Sequence, residues 1–72
     1  MTDSKKLKAK IEESELTTTF IANELNLSRA GFYNKLNGLS DFFSEEIYKL
    51  AKILKLSDDE IIEIFLTKKL TK

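Results

Sequence analysis

The sequence predicts an all-α fold, a compact five-helix arrangement in one domain. Apolar residues recur at the three- and four-residue spacing of amphipathic helices, and no segment alternates apolar and polar residues as a strand does. The chain has no proline and two glycines, so helices can continue up to their caps. Its 72 residues form a single domain, with a core at about 4 to 66 and a frayed C-terminal tail.

The first two helices follow from apolar spacing and a threonine cap. Helix 1 is expected at about 4 to 15, with Leu7 and Ile11 on one face. Thr17 can cap helix 2, which is expected to continue through Leu25. The inner surface of helix 2 is expected to consist of Phe20, Ile21, Ala22 and Leu25.

A short turn separates helix 2 from helix 3. Asn26 occupies a position where a left-handed residue is expected, and Asn tolerates that conformation better than most residues other than glycine. Ser28 can cap helix 3, and Gly38 ends it. At about 100 degrees per residue, setting Phe32 toward the core brings Leu36 to the same side.

Helix 4 is expected at about 45 to 55. Ser44 is its expected cap, and Phe43 and Tyr48 have the spacing of a hydrophobic staple.

Helix 5 begins at the strongest local signal in the chain, the segment LSDDEI. Ser57 and Glu60 are spaced as a capping box, and Leu56 and Ile61 as a hydrophobic staple. Acidic residues in a first helical turn also interact favourably with the helix dipole. Helix capping therefore explains these acids, and we assign them no chemical role.

The composition excludes several kinds of chemistry. The chain has no cysteine and no histidine, which removes disulfides, thiol nucleophiles, the usual zinc sites and Ser-His-Asp catalysis. No glycine-rich phosphate loop occurs, and Glu12, Glu13 and Glu15 cannot converge on one small helix. We expect no enzyme, no metal, no cofactor and no small-molecule ligand. No apolar run has the length of a membrane span and no leader is visible, so we expect a cytoplasmic protein without membrane association.

Charge is balanced overall and uneven along the chain. The formal net charge is zero, whereas proteins that act only by binding phosphates are usually basic. Residues 1 to 40 hold six basic and five acidic groups, and residues 41 to 63 hold three and seven. The acidic segment is expected to face away from any DNA, although a solvated charged face also explains such a run.

Helix 2, the turn and helix 3 together have the layout of a helix-turn-helix unit over residues 17 to 37. Ala22 lies where the two helices must cross closely, and Leu27 fills the turn. The segments LTTTFIANELNLSRAGFYNKLNG and IYKLAKILKLSDDEI resemble the lambda repressor and Cro-like helix-turn-helix family, over about residues 7 to 66. The pieces KLNG, SDF and EIFL are similar to small Cro-type and modulator-of-repression proteins of temperate phages of Gram-positive bacteria.

This resemblance implies a small transcriptional regulator of the phage lysis-lysogeny switch that opposes a partner repressor in the host cytoplasm. Such a regulator would bind operator double-stranded DNA through helix 3, form a complex with the phage repressor protein, or do both. The alternative is an antirepressor that docks the repressor through its helix-turn-helix region and does not bind DNA on its own. Neutral charge favours the alternative, whereas Arg29 and Asn34 favour DNA binding.

The candidate binding surface combines the outer face of helix 3 with the start of helix 2. The amides of Asn34 and Asn37 can pair with adenine edges, and Arg29 can bind guanine or a phosphate. Hydroxyl and N–H groups at helix starts can bind phosphate. The full set, for DNA or for a partner protein, is Thr17, Thr18, Thr19, Ser28, Arg29, Ala30, Tyr33, Asn34, Lys35 and Asn37.

Several of these residues also have a purely structural interpretation. Arg29 can be a solvated surface residue, Asn37 an ordinary C-cap before Gly38, and Tyr33 a cover for helix 4. In the family that the chain resembles, the first residue of helix 2 is often a Gln that braces helix 3 and touches phosphate. Thr18 occupies that position and is expected to reach phosphate without forming the brace.

Helix 5 carries more apolar residues than so small a domain can bury. Ile61, Ile64 and Phe65 can face the core, whereas Ile62, Leu66 and Leu70 lie partly on another side. An exposed apolar strip of this kind usually marks a protein interface, so we expect a homodimer or a complex with a related repressor there. The alternative is a fully buried terminal helix.

Overall fold

A computed structural model describes residues 2–66 of the chain. Over these residues the fold is all-helical and without strands, which confirms the predicted class and the predicted number of helices. None of the helices in this part is long and apolar enough to cross a membrane. The helices are α1 (Ser4–Ser14), α2 (Thr18–Glu24), α3 (Arg29–Leu36), α4 (Ser44–Leu54) and α5 (Asp58–Phe65). The predicted tail and Leu70 lie outside the described residues.

Side-chain caps begin four of the helices. Asp3, Thr17, Ser28 and Ser57 each accept a hydrogen bond from the N–H three residues further on, which satisfies one of the unpaired donors of a helix start. On α5 the Glu60 carboxylate also accepts from the Ser57 N–H at 2.9 Å, completing the predicted capping box. The predicted caps of α2, α3 and α5 are therefore confirmed.

The start of α4 differs from the sequence-based prediction. Ser44 is the first helical residue and Phe43 is the N-cap, so the prediction of Ser44 as the cap is wrong. The cause is Glu46, whose carboxylate accepts from the Phe43 N–H at 2.8 Å and fixes the helix start one residue earlier. The predicted staple between Phe43 and Tyr48 is also wrong, because a staple joins the residue before the N-cap to the fourth helical residue, and these positions are Phe42 and Ile47. Phe42 enters the core instead.

Left-handed residues end or follow several helices. Asn26 has a φ of 60° and Gly38 a φ of 84°, as their positions in the sequence predict. Glu15 has a φ of 63°, which ends α1 at Ser14, one residue before the predicted end. α2 likewise ends one residue before Leu25, which is its C-cap.

One apolar cluster forms the core. α1 packs against α3, α4 and α5, while α2 packs against α3 and α4. The ring of Phe42 meets those of Phe32 and Phe65 edge-on, with centroid distances of 6.1 and 5.8 Å. Phe20, predicted to face inward, is 45% exposed because it lies about 160 degrees around α2 from the buried Ala22. The buried apolar residues are Leu7, Ile11, Ile21, Ala22, Leu25, Phe32, Leu36, Phe42, Leu50, Ile64 and Phe65.

Polar contacts tie α1 to α5 beside this core. The Asp3 N–H donates to the Ile64 carbonyl at 2.7 Å. The Lys10 ammonium donates to the Glu60 carboxylate and also lies 3.7 Å from Glu13. The hydrogen bond with Glu60 raises the pKa of Lys10 above its ordinary value and lowers the pKa of Glu60 below its own.

Candidate binding surface

The connection between α2 and α3 fixes how the two helices meet. The Leu27 N–H donates to the Ala22 carbonyl at 2.9 Å, which turns the chain back across the end of α2. Ala22 is buried, so the small side chain allows a close approach, as its position predicts. Ser28 then starts α3 by accepting from the Gly31 N–H at 3.0 Å.

The face of α3 that points away from the core is polar and open to solvent. Phe32 and Leu36 are buried on the opposite side, as the sequence predicts. Amide side chains and a guanidinium can therefore reach a partner without moving the core. The exposed residues of this outer face are Ala30, Asn34 and Asn37, while Arg29 is exposed in the first turn of α3, about 60 degrees around the helix from Phe32.

The hydroxyl of Tyr33 lies 3.1 Å from Oγ1 of Thr18, the first residue of α2. The sequence indicates that Thr18 would not brace helix 3, and this expectation is wrong because the longer Tyr33 side chain spans the gap. The same hydrogen bond directs the hydroxyl of Tyr33 toward α2, whereas the alternative interpretation has the side chain covering helix 4. Thr18 and Tyr33 therefore form a polar link across the two helices of the predicted surface.

Other hydroxyl groups lie at the starts of α2 and α3. Thr17 and Ser28 are the caps of the two helices, and both are exposed. Thr19 is exposed in the first turn of α2. These side chains are available at the rim of the α3 face and can donate hydrogen bonds outward while their oxygens act as caps.

A groove of about 270 Å³ lies between α1 and the α2–α3 pair. Its floor is apolar, because the buried Ile11 and Leu36 contribute to it. Its other lining residues are Lys8, Glu12, Thr18 and Tyr33. Because Thr18 and Tyr33 line the groove, it adjoins the candidate binding surface and adds an apolar depression to it.

Lys35 is turned away from this surface. Its Nζ lies 2.7 Å from Oε1 of Glu46 on α4, and each of the two side chains is 11% exposed. The ammonium also lies 4.0 Å from the centroid of the Phe43 ring. Glu46 is not among the candidate residues that the sequence predicts. The one feature of the sequence that points to it is its position as the third residue of α4, where a Glu can accept a hydrogen bond from the N-cap N–H.

This ion pair changes the charge of the candidate surface. Residues 17 to 38, all of which the structure describes, contain Arg29, Lys35 and Glu24 as charged residues. Because Lys35 is paired inside, Arg29 is the cation of this segment that remains available to a partner. Exposed amides and hydroxyls thus dominate the surface.

The second predicted surface lies at the end of α5. Ile62 and Leu66 are 53% and 58% exposed, whereas Ile64 and Phe65 are buried. The predicted division of helix 5 into a core face and an outer apolar strip therefore holds up to residue 66. The third predicted member, Leu70, falls outside the described residues.

Comparisons with protein-family models, with curated proteins and with solved structures find no match for this chain. Within residues 2–66, no group of three or more acidic, His or Cys side chains is placed to hold a metal ion. The functional assignment consequently depends on the surfaces described above.

Proposed function

We propose that this protein is a small phage transcriptional regulator with a lambda-repressor-like fold, in which α2 and α3 form the helix-turn-helix. It opposes a partner repressor of the lysis-lysogeny switch, by binding operator DNA through α3, by forming a complex with the repressor, or by both. Its outer apolar strip on α5 would support a homodimer or the repressor complex.

The exposed polar face of α3 is the observation that carries this proposal. A helix whose inner side is fixed by Phe32 and Leu36 presents Asn34 on its outer side without any change in the core, and the exposed Arg29 extends from its first turn. Side chains of these types read base edges in the major groove, where a bidentate pair discriminates by about 1–3 kcal/mol. The Thr18–Tyr33 link supports the proposal, because it holds α3 against α2.

Binding to DNA by a single copy is expected to be weak. The affinity of such complexes depends largely on how many phosphates are neutralised, and each neutralised phosphate adds to the salt dependence. Arg29 is the available cation of the α2–α3 unit, with Lys5 and Lys8 exposed on α1. Two copies joined through α5 would double these contacts.

A second candidate function is favoured by the Lys35–Glu46 ion pair. This pair removes one of the two cations of the α2–α3 unit from any contact with phosphate. A surface of amides, hydroxyls and an apolar groove is better suited to a protein than to a polyanion. In this version the protein is an antirepressor that covers the DNA-reading surface of the repressor and does not bind DNA alone.

Two calorimetric titrations at two salt concentrations test the proposal and separate its versions. The protein is titrated with operator DNA and, separately, with the purified phage repressor. DNA binding that weakens steeply with salt supports operator reading by α3. Binding to the repressor that changes little with salt supports the antirepressor. Binding to neither partner contradicts the proposed function.

A further inference from the structure

Lys35 differs from the polar residues near it at the end of α3 because its charge is largely shielded from solvent. Asn34 and Asn37 are exposed on either side of it in the sequence, whereas the Lys35 side chain is 11% exposed. Lysine side chains usually extend their ammonium groups into water. A largely shielded ammonium in the last turn of the helix that we propose meets the partner therefore indicates a role inside the protein.

One carboxylate oxygen connects this lysine to the start of α4. Oε1 of Glu46 accepts from Lys35 Nζ at 2.7 Å and from the Phe43 N–H at 2.8 Å. The Phe43 ring covers the ammonium and provides a second favourable contact for it. The last turn of α3 and the first turn of α4 thus share a single acceptor.

The loop between these helices is held at both of its ends. At the α3 end, the Asn34 carbonyl accepts from the Leu39 N–H at 2.8 Å. At the α4 end, Glu46 holds the Phe43 N–H and the Lys35 ammonium. Asn34 and Asn37 therefore lie on a helical turn whose direction depends on the ion pair.

We infer that Lys35 is a positioning residue of the α3 surface, which acts through Glu46 to orient Asn34 and Asn37 and does not itself touch the partner. The inference rests on the proposed function, in which α3 meets DNA or the repressor. Removing one charge of the Lys35–Glu46 pair leaves the other shielded from solvent without its partner. Removing both charges together avoids this cost, so the last turn of α3 largely keeps its position against α4.

The test compares Lys35→Met with the double variant Lys35→Met/Glu46→Gln. In the double variant, the introduced glutamine is not charged and its side-chain oxygen still accepts from the Phe43 N–H. Affinity for operator DNA and for the repressor is measured where circular dichroism shows each variant fully folded. We expect the single variant to bind about tenfold more weakly and the double variant to recover to within about threefold of the unchanged protein.

Salt dependence separates positioning from direct contact. If Lys35 bound a phosphate, the double variant would show a slope of log affinity against log salt lower by about one, and it would not recover affinity. We expect the slope to be unchanged. A double variant as weak as Lys35→Met, or a folded Lys35→Met that binds as tightly as the unchanged protein, would overturn the inference.

Amide hydrogen exchange provides a readout that needs no partner. The Leu39 N–H is expected to exchange faster in Lys35→Met and to regain protection in the double variant. If Lys35→Met does not fold, Glu46→Gln replaces it, because this variant removes only the carboxylate charge. If the proposed function is wrong, the protein without substitutions binds neither operator DNA nor the repressor. The exchange rate of the Leu39 N–H then still shows whether Lys35 holds the end of α3.

Discussion

The hydroxyl groups of Thr18 and Tyr33 lie 3.1 Å apart, so one hydrogen bond joins the first residue of α2 to the middle of α3. This bond links the start of α2, where the exposed hydroxyl groups lie, to the helix that carries the outer polar face. Neither residue belongs to the buried core, so the bond orients the surface more than it stabilises the fold.

Removing this bond should have a small and measurable effect. We expect Tyr33→Phe and Thr18→Val each to lower the free energy of unfolding by about 0.5 kcal/mol, the low end for a hydrogen bond because both groups reach solvent. Combining them should add little, which a double-mutant cycle by urea denaturation would show. Tyr48→Phe is the matched control, since its ring is exposed on α4. Fully additive losses would contradict the bond.

Helix starts were the most predictable part of the fold. The caps at Thr17, Ser28 and Ser57 depend on a side chain and an N–H three residues away, so a local reading of the sequence suffices. At the start of α4 the sequence favours Ser44, a common cap type, whereas the carboxylate of Glu46 inside the helix makes Phe43 the cap.

Contacts between helices were harder to predict. The residue types of the α3 face follow from helical geometry once Phe32 is set inward. The Lys35–Glu46 ion pair and the Thr18–Tyr33 bond, however, depend on the rotation of α3 against α2 and α4, which periodicity within one helix does not specify. For this reason the sequence places Lys35 on the partner-binding surface, whereas the structure pairs it internally with Glu46.

Arg29 is expected to contribute to DNA binding if α3 reads the operator. Arg29→Ala should weaken binding by about 1–3 kcal/mol at a guanine contact and reduce discrimination against random DNA. Fluorescence anisotropy with operator and random duplexes would measure both effects. Lys49→Ala on the exposed side of α4 removes the same charge and serves as the control. Equal losses in the two variants would show only a general charge effect.

The apolar strip on α5 is expected to be an interface. Ile62→Lys should dissociate a homodimer or a repressor complex and leave the monomer folded, because Ile62 is 53% exposed. Analytical ultracentrifugation would report the association state and circular dichroism the fold. For contrast, Ile64→Ala in the buried face should lower the free energy of unfolding by about 2–5 kcal/mol. An unfolded Ile62→Lys monomer would assign Ile62 to the core.

Stability should depend on pH through the Lys10–Glu60 ion pair. Because the pKa of Glu60 is lowered in the folded protein, its contribution is present above the unfolded pKa and is lost as the pH falls. Because the pKa of Lys10 is raised, its contribution is present below the unfolded pKa and is lost as the pH rises through the folded value. The pair thus stabilises the fold fully between roughly pH 5 and pH 10.

Glu60→Gln isolates this pH effect, because its amide oxygen can still accept from the Ser57 N–H. Urea denaturation at a series of pH values would measure the free energy of unfolding. We expect this free energy to fall less in Glu60→Gln than in the unchanged protein, both at acid and at alkaline pH. Glu45→Gln, in the exposed first turn of α4, is the control and should leave the alkaline limb unchanged. Identical pH profiles for Glu60→Gln and the unchanged protein would show that the ion pair contributes nothing.

The most direct test of the proposed role is a mobility-shift titration of the purified protein on the intergenic DNA beside its own gene, with and without the neighbouring repressor. The account predicts that the protein changes or abolishes the shift that the repressor produces. A salt-sensitive shift by the protein alone would show that it binds the operator itself, and loss of that shift in Arg29→Ala would assign the contact to α3. A repressor shift that is unaltered at every protein concentration, with no shift by the protein alone, would contradict the account.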